Sequence, residues 1–307
     1  MNASFLRDVR EGLSQQAKSL APKWLYDERG SELFEAITKT ADYYLTRTEA
    51  EIMRTAYGEL PAHVPPGCAI AEFGSGAGIK SRRLIEALKP SVYVSIDVAE
   101  EFLTASCEKL SRMFPDTDVQ GVLADFSGQV ALPESFFAAP QRMGFFPGST
   151  IGNFAKGGAE TFLAKSRESL GDGSMFLIGA DLVKDEDVLL AAYDDSDGIT
   201  RLFTKNLLVR MKHELDAELD LDGFEAVALW NPTEARLELG VVAQGPQTIR
   251  LGSDVFPLEN GEMIHTENSH KFTPDSFSAL GERAGWKVRT HWTDSQGWFG
   301  VFLLEAA

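Results

Sequence analysis

The sequence predicts an α/β fold, in which a mostly parallel, doubly wound sheet is interrupted by an inserted α+β unit. Three observations carry this prediction. From about residue 68 to residue 180, short apolar runs alternate with helical patterns, and several of the runs end at glycine or aspartate. Residues 185–270 follow a different pattern, and the chain then returns to a helix followed by a hairpin. Alternating strands and helices are typical of parallel sheets with right-handed crossovers.

The individual elements follow from local pattern. The first 60 residues are polar and helical, with Ser31 as a candidate N-cap for 32–37 and Thr46 or Thr48 for the helix through Ile52 and Met53. In the alternating part, strands are predicted at 68–73, 92–96, 119–123, 142–146 and 174–180, with helices at 80–88 and 101–113. In the rest, the pattern predicts a largely helical stretch at 188–220, antiparallel strands at 225–230, 236–242 and 247–251, a helix at 274–284, and strands at 286–292 and 298–304.

These patterns divide the chain into four stretches. Residues 1–58 form an N-terminal helical part, and residues 59–184 form the alternating α/β domain. Residues 185–270 form the inserted α+β part, and residues 271–307 complete the alternating α/β domain.

Composition excludes several classes of protein. Lys and Arg number 29 against 46 Asp and Glu, a net charge of −17, which argues against a nucleic-acid binder and against docking on anionic lipid. We find no signal peptide and no apolar run of about 18 residues. The two cysteines, Cys68 and Cys107, are too few for a zinc knuckle or a disulfide framework. We therefore expect a cytoplasmic protein without a metal, and the acidic surface favours a monomer.

A glycine-rich loop follows the first predicted strand. Gly74-Ser75-Gly76-Ala77-Gly78 lets the backbone approach a ligand closely, as in dinucleotide enzymes and in enzymes that use S-adenosylmethionine (SAM). The dinucleotide pattern requires a small third residue, where this chain has the bulky Ile79. The carboxylate of Glu72, two residues before the loop, suits the cationic groups of SAM better than a pyrophosphate. The loop therefore favours SAM.

Acidic residues end the next two predicted strands. Asp97 is suited to accept hydrogen bonds from a ribose diol, which fits both cofactors. Asp125-Phe126 pairs an acceptor for the adenine amino group with a ring that covers the base, a common arrangement in SAM-dependent methyltransferases. The alternative for each aspartate is a helix cap. For Lys80 the alternative to a cofactor contact is a solvent-facing position on its helix.

The fourth predicted strand ends in a turn that contains Asn153. Its amide offers both a donor and an acceptor, so it is able to bind the ammonium and carboxylate end of an amino acid. The alternative is an ordinary turn asparagine.

At this point the chain resembles a known family, the histidine Nα-methyltransferases of ergothioneine biosynthesis. The resemblance runs over essentially the whole chain and is carried by motifs outside the general methyltransferase pattern, at residues 23–34, 43–47, 147–153, 181–185, 192–195 and 265–272.

The resemblance implies a SAM-binding Rossmann-like domain, a second domain that binds L-histidine, and three methyl transfers that yield hercynine. It implies cofactor-binding roles for Gly74, Lys80, Asp97, Asp125 and Phe126. It places Asn153 and Tyr193 at the amino-acid backbone end, Tyr43 beside the substrate, Tyr26 near the reacting amine, and Glu267 with Ser269 at the imidazole. Tyr26, Tyr43 and Asn153 are thus the candidate catalytic residues.

The residue types agree with these roles. Glu267 and Ser269 lie two residues apart in an extended segment, so their side chains share a face, and a carboxylate accepts a hydrogen bond from an imidazole N–H. The alternative is a solvated Glu and Ser on a strand face. We expect Tyr44, unlike Tyr43, to be a core residue.

Three other functions remain open at this stage. A methyltransferase of the same build acting on another amino acid, such as tryptophan, is the first; Glu267 and Ser269 favour a polar ring instead. A nicotinamide-dependent oxidoreductase is the second, and a non-catalytic SAM-binding module is the third.

Overall fold

The computed structural model describes residues 3–75, 79–126 and 128–307, so Gly76, Ala77 and Gly78 of the predicted loop lie outside the described residues. The chain divides into two compact units. The first unit comprises Met1–Tyr44 and Lys184–His270, and the second comprises Leu45–Val183 and Lys271–Ala307. Residues 45–58, which the sequence pattern groups with the N-terminal part, thus belong to the second unit.

The helices and strands are numbered in chain order. The helices are α1 (Ala3–Leu13), α2 (Glu28–Ile37), α3 (Leu45–Glu59), α4 (Ile79–Leu88), α5 (Glu100–Met113), α6 (Glu134–Ala138), α7 (Gly158–Leu170), α8 (Glu186–Tyr193), α9 (Ile199–Glu214) and α10 (Pro274–Arg283). The strands are β1 (Ala69–Phe73), β2 (Val92–Asp97), β3 (Asp118–Leu123), β4 (Arg142–Phe146), β5 (Met175–Asp181), β6 (Phe224–Asn231), β7 (Arg236–Ala243), β8 (Gln247–Leu251), β9 (Asp254–Leu258), β10 (Met263–His270), β11 (Trp286–Thr293) and β12 (Phe299–Ala306).

The second unit is built on a seven-stranded sheet. Its strand order is β11-β12-β5-β4-β1-β2-β3. Strands β1 to β5 pair in parallel, and β12 lies antiparallel to both β5 and β11. The central strands β1 and β5 are buried along their whole length, as expected for strands covered on both faces. This arrangement confirms the predicted α/β fold, including the late return of a helix and a hairpin.

The strand order also determines where a ligand is expected. From β1 the chain runs outward to β2 and β3 and then returns to β4 on the other side of β1. In open α/β sheets, ligands bind beyond the carboxyl ends of the strands at this point of reversal. Gly74, Asp97, Asp125 and the turn after β4 all follow those carboxyl ends.

The first unit contains a three-stranded antiparallel sheet, in the order β10-β7-β6, and the hairpin β8-β9. The predicted strand at 247–251 therefore pairs with β9, which the sequence pattern did not predict as a strand. The predicted helical stretch 188–220 is two helices, α8 and α9, separated at Gly198, where φ is +71°. Among the described residues, no helix is long and apolar enough to cross a membrane.

The helix caps differ from those that the sequence predicts. Helix α2 begins at Glu28, and its N-cap is Asp27, whose side chain accepts a hydrogen bond from the backbone N–H of Gly30 at 2.7 Å. Ser31 is therefore inside the helix, and that prediction is wrong. Thr46 and Thr48 likewise lie inside α3, which begins at Leu45.

Candidate active site

Gly74 presents open backbone at the end of β1. It has φ of +71°, a conformation that L side chains rarely adopt. A Cβ at this position would lie 3.3 Å from Cε1 of the Phe126 ring. That ring packs edge-on against Phe73 and Phe146, with centroids 6.5 and 5.7 Å away. The structure thus brings Gly74 and Phe126 together, and the absence of a side chain at Gly74 is what lets the ring lie this close to the backbone.

The two aspartates predicted to contact the cofactor lie at the ends of two strands: Asp97 is the last residue of β2, and Asp125 follows β3 by two residues. Asp97 is half-buried, and one of its oxygens accepts a hydrogen bond from the N–H of Ala99 at 3.1 Å. Ala99, rather than Asp97, is the N-cap of α5, so Asp97 is not the helix cap. Asp125 is exposed. Both carboxylates therefore lie at the sheet edge where the ribose and the base of a nucleoside are expected.

Lys80 does not point freely into solvent. Its ammonium forms an ion pair with Glu49 of α3, whose side chain is 1% exposed, while 35% of the Lys80 side chain remains exposed. The other oxygen of Glu49 accepts a hydrogen bond from the backbone N–H of Gly148 at 2.7 Å. Sequence reasoning missed Glu49, because it lies in an ordinary polar helical pattern.

Glu72 is a buried carboxylate on β1. Its carboxylate is 1% exposed and accepts hydrogen bonds from the hydroxyl of Ser81, at 2.5 Å, and from the hydroxyl of Tyr93. Burial raises the pKa of Glu72 to about 7, against the opposing effect of these hydrogen bonds. The carboxylate is therefore buried between β2 and α4, where the two hydroxyls are its hydrogen-bond partners.

The turn after β4 is held in an unusual backbone conformation. Gly148 and Ser149 both have positive φ, +84° and +60°. The Ser149 hydroxyl accepts a hydrogen bond from the N–H of Asp181 at 2.8 Å. A short 3₁₀ turn, Thr150–Asn153, follows, and the half-buried Asn153 is its last residue. Asn153 thus comes directly from a turn that is tied to the neighbouring strand β5.

A second charged pair lies at the end of β5. The ammonium of Lys271 lies 2.7 Å from a carboxylate oxygen of Asp181, and both side chains are fully buried. The sequence pattern did not identify this pair, because the two residues are 90 positions apart in the chain and each looks like an ordinary charged residue.

In the first unit, aromatic side chains from distant segments form a cluster. The Tyr26 ring lies 5.6 Å from that of Phe34 and 5.2 Å from that of Phe203. The Tyr43 ring lies 6.3 Å from Phe34 and 6.1 Å from Tyr193. These four pairs of rings meet edge-on. The rings of Phe34 and Phe203, whose centroids are 6.0 Å apart, are tilted by 45°. Three of the predicted substrate-site tyrosines are therefore neighbours.

Glu267 and Ser269 join this cluster from β10. They follow an irregularity in the strand pairing between His265 and Glu267, after which Glu267 lies opposite Leu239 and Ser269 opposite Leu237. The Ser269 and Tyr193 hydroxyls are hydrogen-bonded at 2.8 Å. Glu267 is half-buried and lies close enough to Tyr26 to affect its ionisation.

The Tyr26 hydroxyl is held in its protonated form. Desolvation by the surrounding protein, together with the negative charge of Glu267 and the nearby Tyr43 and Tyr193, raises the pKa of Tyr26 well above its ordinary value. This holds although 41% of the residue's surface is exposed. At neutral pH Tyr26 is therefore a hydrogen-bond donor or acceptor and not an anionic base.

Helix α9 supports the segment that carries Tyr26. The amide nitrogen of the fully buried Asn206 donates to Asp27 at 2.7 Å, and Arg210 donates to the backbone carbonyl of Trp24 at 2.6 Å. Arg210 also forms an ion pair with Glu214. Sequence reasoning missed these residues; the only available signal was two polar positions, four residues apart, on the same face of α9.

Tyr44 behaves as the sequence predicts. It is 1% exposed, and its hydroxyl accepts a hydrogen bond from the Lys184 ammonium at 2.6 Å.

The groups at the sheet edge of the second unit fit the chemistry of SAM. The open backbone at Gly74 beside the Phe126 ring leaves space that a Cβ would reduce, and two carboxylates and one ammonium lie at neighbouring strand ends. No group of three or more His, Cys, Asp or Glu side chains that could hold a metal occurs in the described part of the chain.

Comparison with known proteins decides the family. Residues 5–306 match the family described as "Histidine-specific methyltransferase, SAM-dependent". The chain belongs to this family. Two histidine N-alpha-methyltransferases are similar over nearly the full length: that of Mycolicibacterium smegmatis is 37% identical and that of Mycobacterium tuberculosis 38% identical, each over 304 residues covering 97% of this chain and 93% of the relative.

A third relative extends the comparison to fungi. The "Ergothioneine biosynthesis protein 1" of Neurospora crassa is 29% identical over 300 residues, which cover 91% of this chain and 32% of that longer protein. These findings confirm the resemblance, the SAM cofactor and the enzyme class predicted from the sequence, and they do not favour the oxidoreductase.

Proposed function

We propose that this enzyme transfers methyl groups to the α-amino nitrogen of L-histidine, three times in succession, and so produces hercynine for ergothioneine biosynthesis. The observation that carries the proposal is the polar and aromatic cluster of the first unit. Glu267 and Ser269 on β10 lie beside three tyrosines there, Tyr26, Tyr43 and Tyr193. A carboxylate and a hydroxyl are suited to a small polar ring, and tyrosines are suited to an amine that becomes a permanent cation.

Glu267 and Ser269 are the proposed imidazole contacts. The neutral imidazole has one N–H donor and one acceptor nitrogen, so the Glu267 carboxylate accepts from the former and the Ser269 hydroxyl is able to donate to the latter. The hydrogen bond between Ser269 and Tyr193 supports this, because it orients the serine hydroxyl. A site that is built to hydrogen-bond its ligand rejects analogues that lack the partner group by large factors.

The amino group requires positioning and the loss of a proton. Its nitrogen attacks only as the neutral amine, so one proton must leave before each of the three transfers, and we assign all three to water. Tyr26 and Tyr43 orient the nitrogen lone pair through their hydroxyls, which the raised pKa of Tyr26 keeps in hydrogen-bonding form. We assign Tyr193, and on the second unit Asn153, to the carboxylate and ammonium end of the amino acid.

At the sheet edge we assign Gly74, Lys80, Asp97, Asp125 and Phe126 to the cofactor. When bound, SAM supplies an electrophilic methyl group: the bond from sulfur to this methyl group breaks as the new N–CH₃ bond forms, and S-adenosylhomocysteine is the second product. Gly74 and Phe126 provide the backbone and ring surfaces. Asp97 and Asp125 accept hydrogen bonds from hydroxyl and amino groups, and Lys80 supplies a positive charge. The protein's own contribution is mainly orientation and exclusion of water.

Mass spectrometry of the reaction products tests the proposal. The purified enzyme is incubated with SAM and one of several amino acids, including histidine, tryptophan and tyrosine. We expect histidine derivatives that carry one, two and three added methyl groups, with the third accumulating. Methylation of tryptophan in preference to histidine would instead support the alternative substrate, and methylation of no amino acid would refute the proposal.

We also propose that the enzyme acts in the cytoplasm as a monomer, without nucleic-acid or membrane partners. The net charge of −17 supports this, because copies of the chain and anionic surfaces repel each other. Light scattering at micromolar concentration tests the oligomeric state, and a dimer would contradict it.

A further inference from the structure

Glu49 is a buried charged group near the ends of β1 and β4 that the proposed mechanism leaves unused. It lies in α3 and is 1% exposed. A carboxylate is rarely buried to this extent unless it is paired and hydrogen-bonded. Glu49 satisfies both conditions with two different partners, the Lys80 ammonium at one oxygen and the Gly148 N–H at the other.

The sheet leaves space for this carboxylate. Gly179 lies in the middle of β5, and a Cβ at that position would overlap an oxygen of Glu49. Any side chain at residue 179 would therefore displace the carboxylate. The small residue on β5 and the acid on α3 depend on each other, which indicates a built arrangement and not an incidental contact.

The two partners of Glu49 are themselves close together. The Lys80 ammonium lies 3.1 Å from the position that a Cβ of Gly148 would occupy. Gly148 and Ser149 adopt left-handed backbone conformations, which cost free energy for a residue such as serine. The bond from the Gly148 N–H to Glu49 and the bond from the Asp181 N–H to Ser149 hold this turn from two sides.

We propose that Glu49 is a positioning residue that acts through Lys80 and the turn at 147–149, and that it sets the affinity for the anionic carboxylate end of the methyl donor. The inference rests on the proposed function only in its assignment of SAM to this sheet edge. Because 35% of the Lys80 side chain remains exposed, its ammonium is able to bind Glu49 on one side and a ligand carboxylate on the other. Glu49 itself does not touch the ligand.

The substitution Glu49→Gln tests this role while keeping the shape of the side chain. The amide oxygen still accepts from the Gly148 N–H, but the ion pair with Lys80 is lost. We expect the Kd for SAM, measured by isothermal titration calorimetry, to rise about tenfold, because a Lys80 ammonium that Glu49 no longer positions forms a weaker charge-assisted bond to the ligand carboxylate. Glu49→Ala loses both bonds and should raise the Kd further. The KM for histidine at saturating SAM should change less than about twofold, since uniform loss of cofactor affinity leaves it unaffected.

Glu59→Gln is the matched control. Glu59 lies on the same helix and also accepts one hydrogen bond, from the indole N–H of Trp292 at 2.8 Å, but it does not contact Lys80 or Gly148 in the described structure. This variant should bind SAM as the wild type does. An equal loss of SAM affinity in E59Q and E49Q would mean that any change in α3 has this effect, and would overturn the proposal.

A double-mutant cycle with Lys80→Met shows whether Glu49 acts through Lys80. If it does, E49Q in the K80M background should weaken SAM binding by far less than in the wild type, because interacting residues are not additive. Fully additive effects, or E49Q binding SAM like the wild type, would refute the proposal. Calorimetry with SAM alone does not require histidine turnover, so a failure here is distinguishable from a failure of the proposed reaction.

Discussion

The polar groups at the sheet edge of the second unit and those in the cluster of the first unit are held in different ways. At the sheet edge, buried charged groups are paired with one another or with hydroxyls: Glu49 with Lys80, Asp181 with Lys271, and Glu72 with Ser81 and Tyr93. In the first unit, Glu267 and Ser269 lie among tyrosines, and the hydroxyls of Ser269 and Tyr193, both neutral, are hydrogen-bonded to each other.

The difference has a thermodynamic consequence. A buried charge whose partner is removed keeps its full desolvation cost, so removing one partner of a buried ion pair at the sheet edge should lower the free energy of unfolding. A half-buried polar side chain among aromatic rings has less of that cost to lose, so substitutions in the first unit should mainly affect turnover. Four substitutions test this contrast.

Lys271→Met should have the largest effect. It leaves the Asp181 carboxylate fully buried without its cationic partner, and breaking such a pair costs about 3–5 kcal/mol. Urea denaturation measures the loss. The double variant Asp181→Asn with Lys271→Met should recover much of it, because no unpaired charge remains.

Lys165→Met is the control for Lys271→Met. Lys165 pairs with Glu168 on the surface of the same unit, at 2.9 Å, with 40% of its side chain exposed. Its loss should cost less than about 1 kcal/mol. If K271M lowered the free energy of unfolding no more than K165M does, buried ion pairs would not distinguish the sheet edge from the cluster of the first unit.

Glu72→Gln should change the pH dependence of stability. The pKa of Glu72 is about 7 in the folded protein and near 4.5 in the unfolded chain. Between these values the folded state binds more protons, so the free energy of unfolding falls as pH rises from about 4.5 to 7. The total is on the order of 3 kcal/mol. The glutamine still accepts from Ser81 and Tyr93, so E72Q should lack this decrease and be more stable than the wild type at pH 8.

Thermal denaturation across pH 4 to 8 measures this effect. Glu86→Gln is the control, since Glu86 lies on α4 in the same unit and forms an exposed pair with Arg82. E86Q should follow the wild-type pH curve. A pH curve for E72Q parallel to that of the wild type would show that Glu72 is not the group that titrates.

Glu267→Ala should reduce turnover and leave the free energy of unfolding nearly unchanged, unlike the variants at the sheet edge. Loss of the proposed imidazole acceptor should lower kcat/KM for histidine on the order of 100-fold, because a buried N–H of the substrate is left without a partner. The Kd for SAM and the free energy of unfolding should change little. Asn268→Ala is the control, because Asn268 lies between Glu267 and Ser269 on the opposite face of β10 and bonds to His265. Histidine turnover that survives E267A intact would remove Glu267 from the imidazole site.

The same contrast explains what the sequence could predict. Strand ends converge at one edge of a parallel sheet, so Gly74, Asp97 and Asp125 were identified from local pattern, and the seven-stranded sheet confirms that they lie at that edge. Glu49 and Lys271 were missed, since in sequence a buried charged residue looks like a solvated one. Only tertiary pairing distinguishes the two.

The first-unit cluster could not be derived from local pattern at all. Tyr26, Tyr43 and Tyr193 come from a loop, a turn and a helix end, and Glu267 comes from a strand more than 70 residues further on. No periodicity connects these segments, so only the resemblance to a family named them. Their proximity is now observed, while their individual roles remain predictions.

Tyr26→Phe should have the smallest of these effects and the most specific pH signature. Removing one hydroxyl that orients the amine should lower kcat about tenfold, the value of one hydrogen bond. Because burial, Glu267 and the neighbouring tyrosines raise the pKa of Tyr26 well above its ordinary value, the hydroxyl stays protonated throughout the working range. The increase in rate with pH should then reflect deprotonation of the substrate amine alone, and the profiles of wild type and Y26F should be parallel between pH 7 and 10.

Tyr44→Phe, which removes a hydroxyl bonded to Lys184, is the control and should leave kcat within about twofold of the wild type. A wild-type profile whose slope changes on removal of the Tyr26 hydroxyl would show that this tyrosine exchanges a proton during the reaction, and the positioning role would have to be replaced by that of a base.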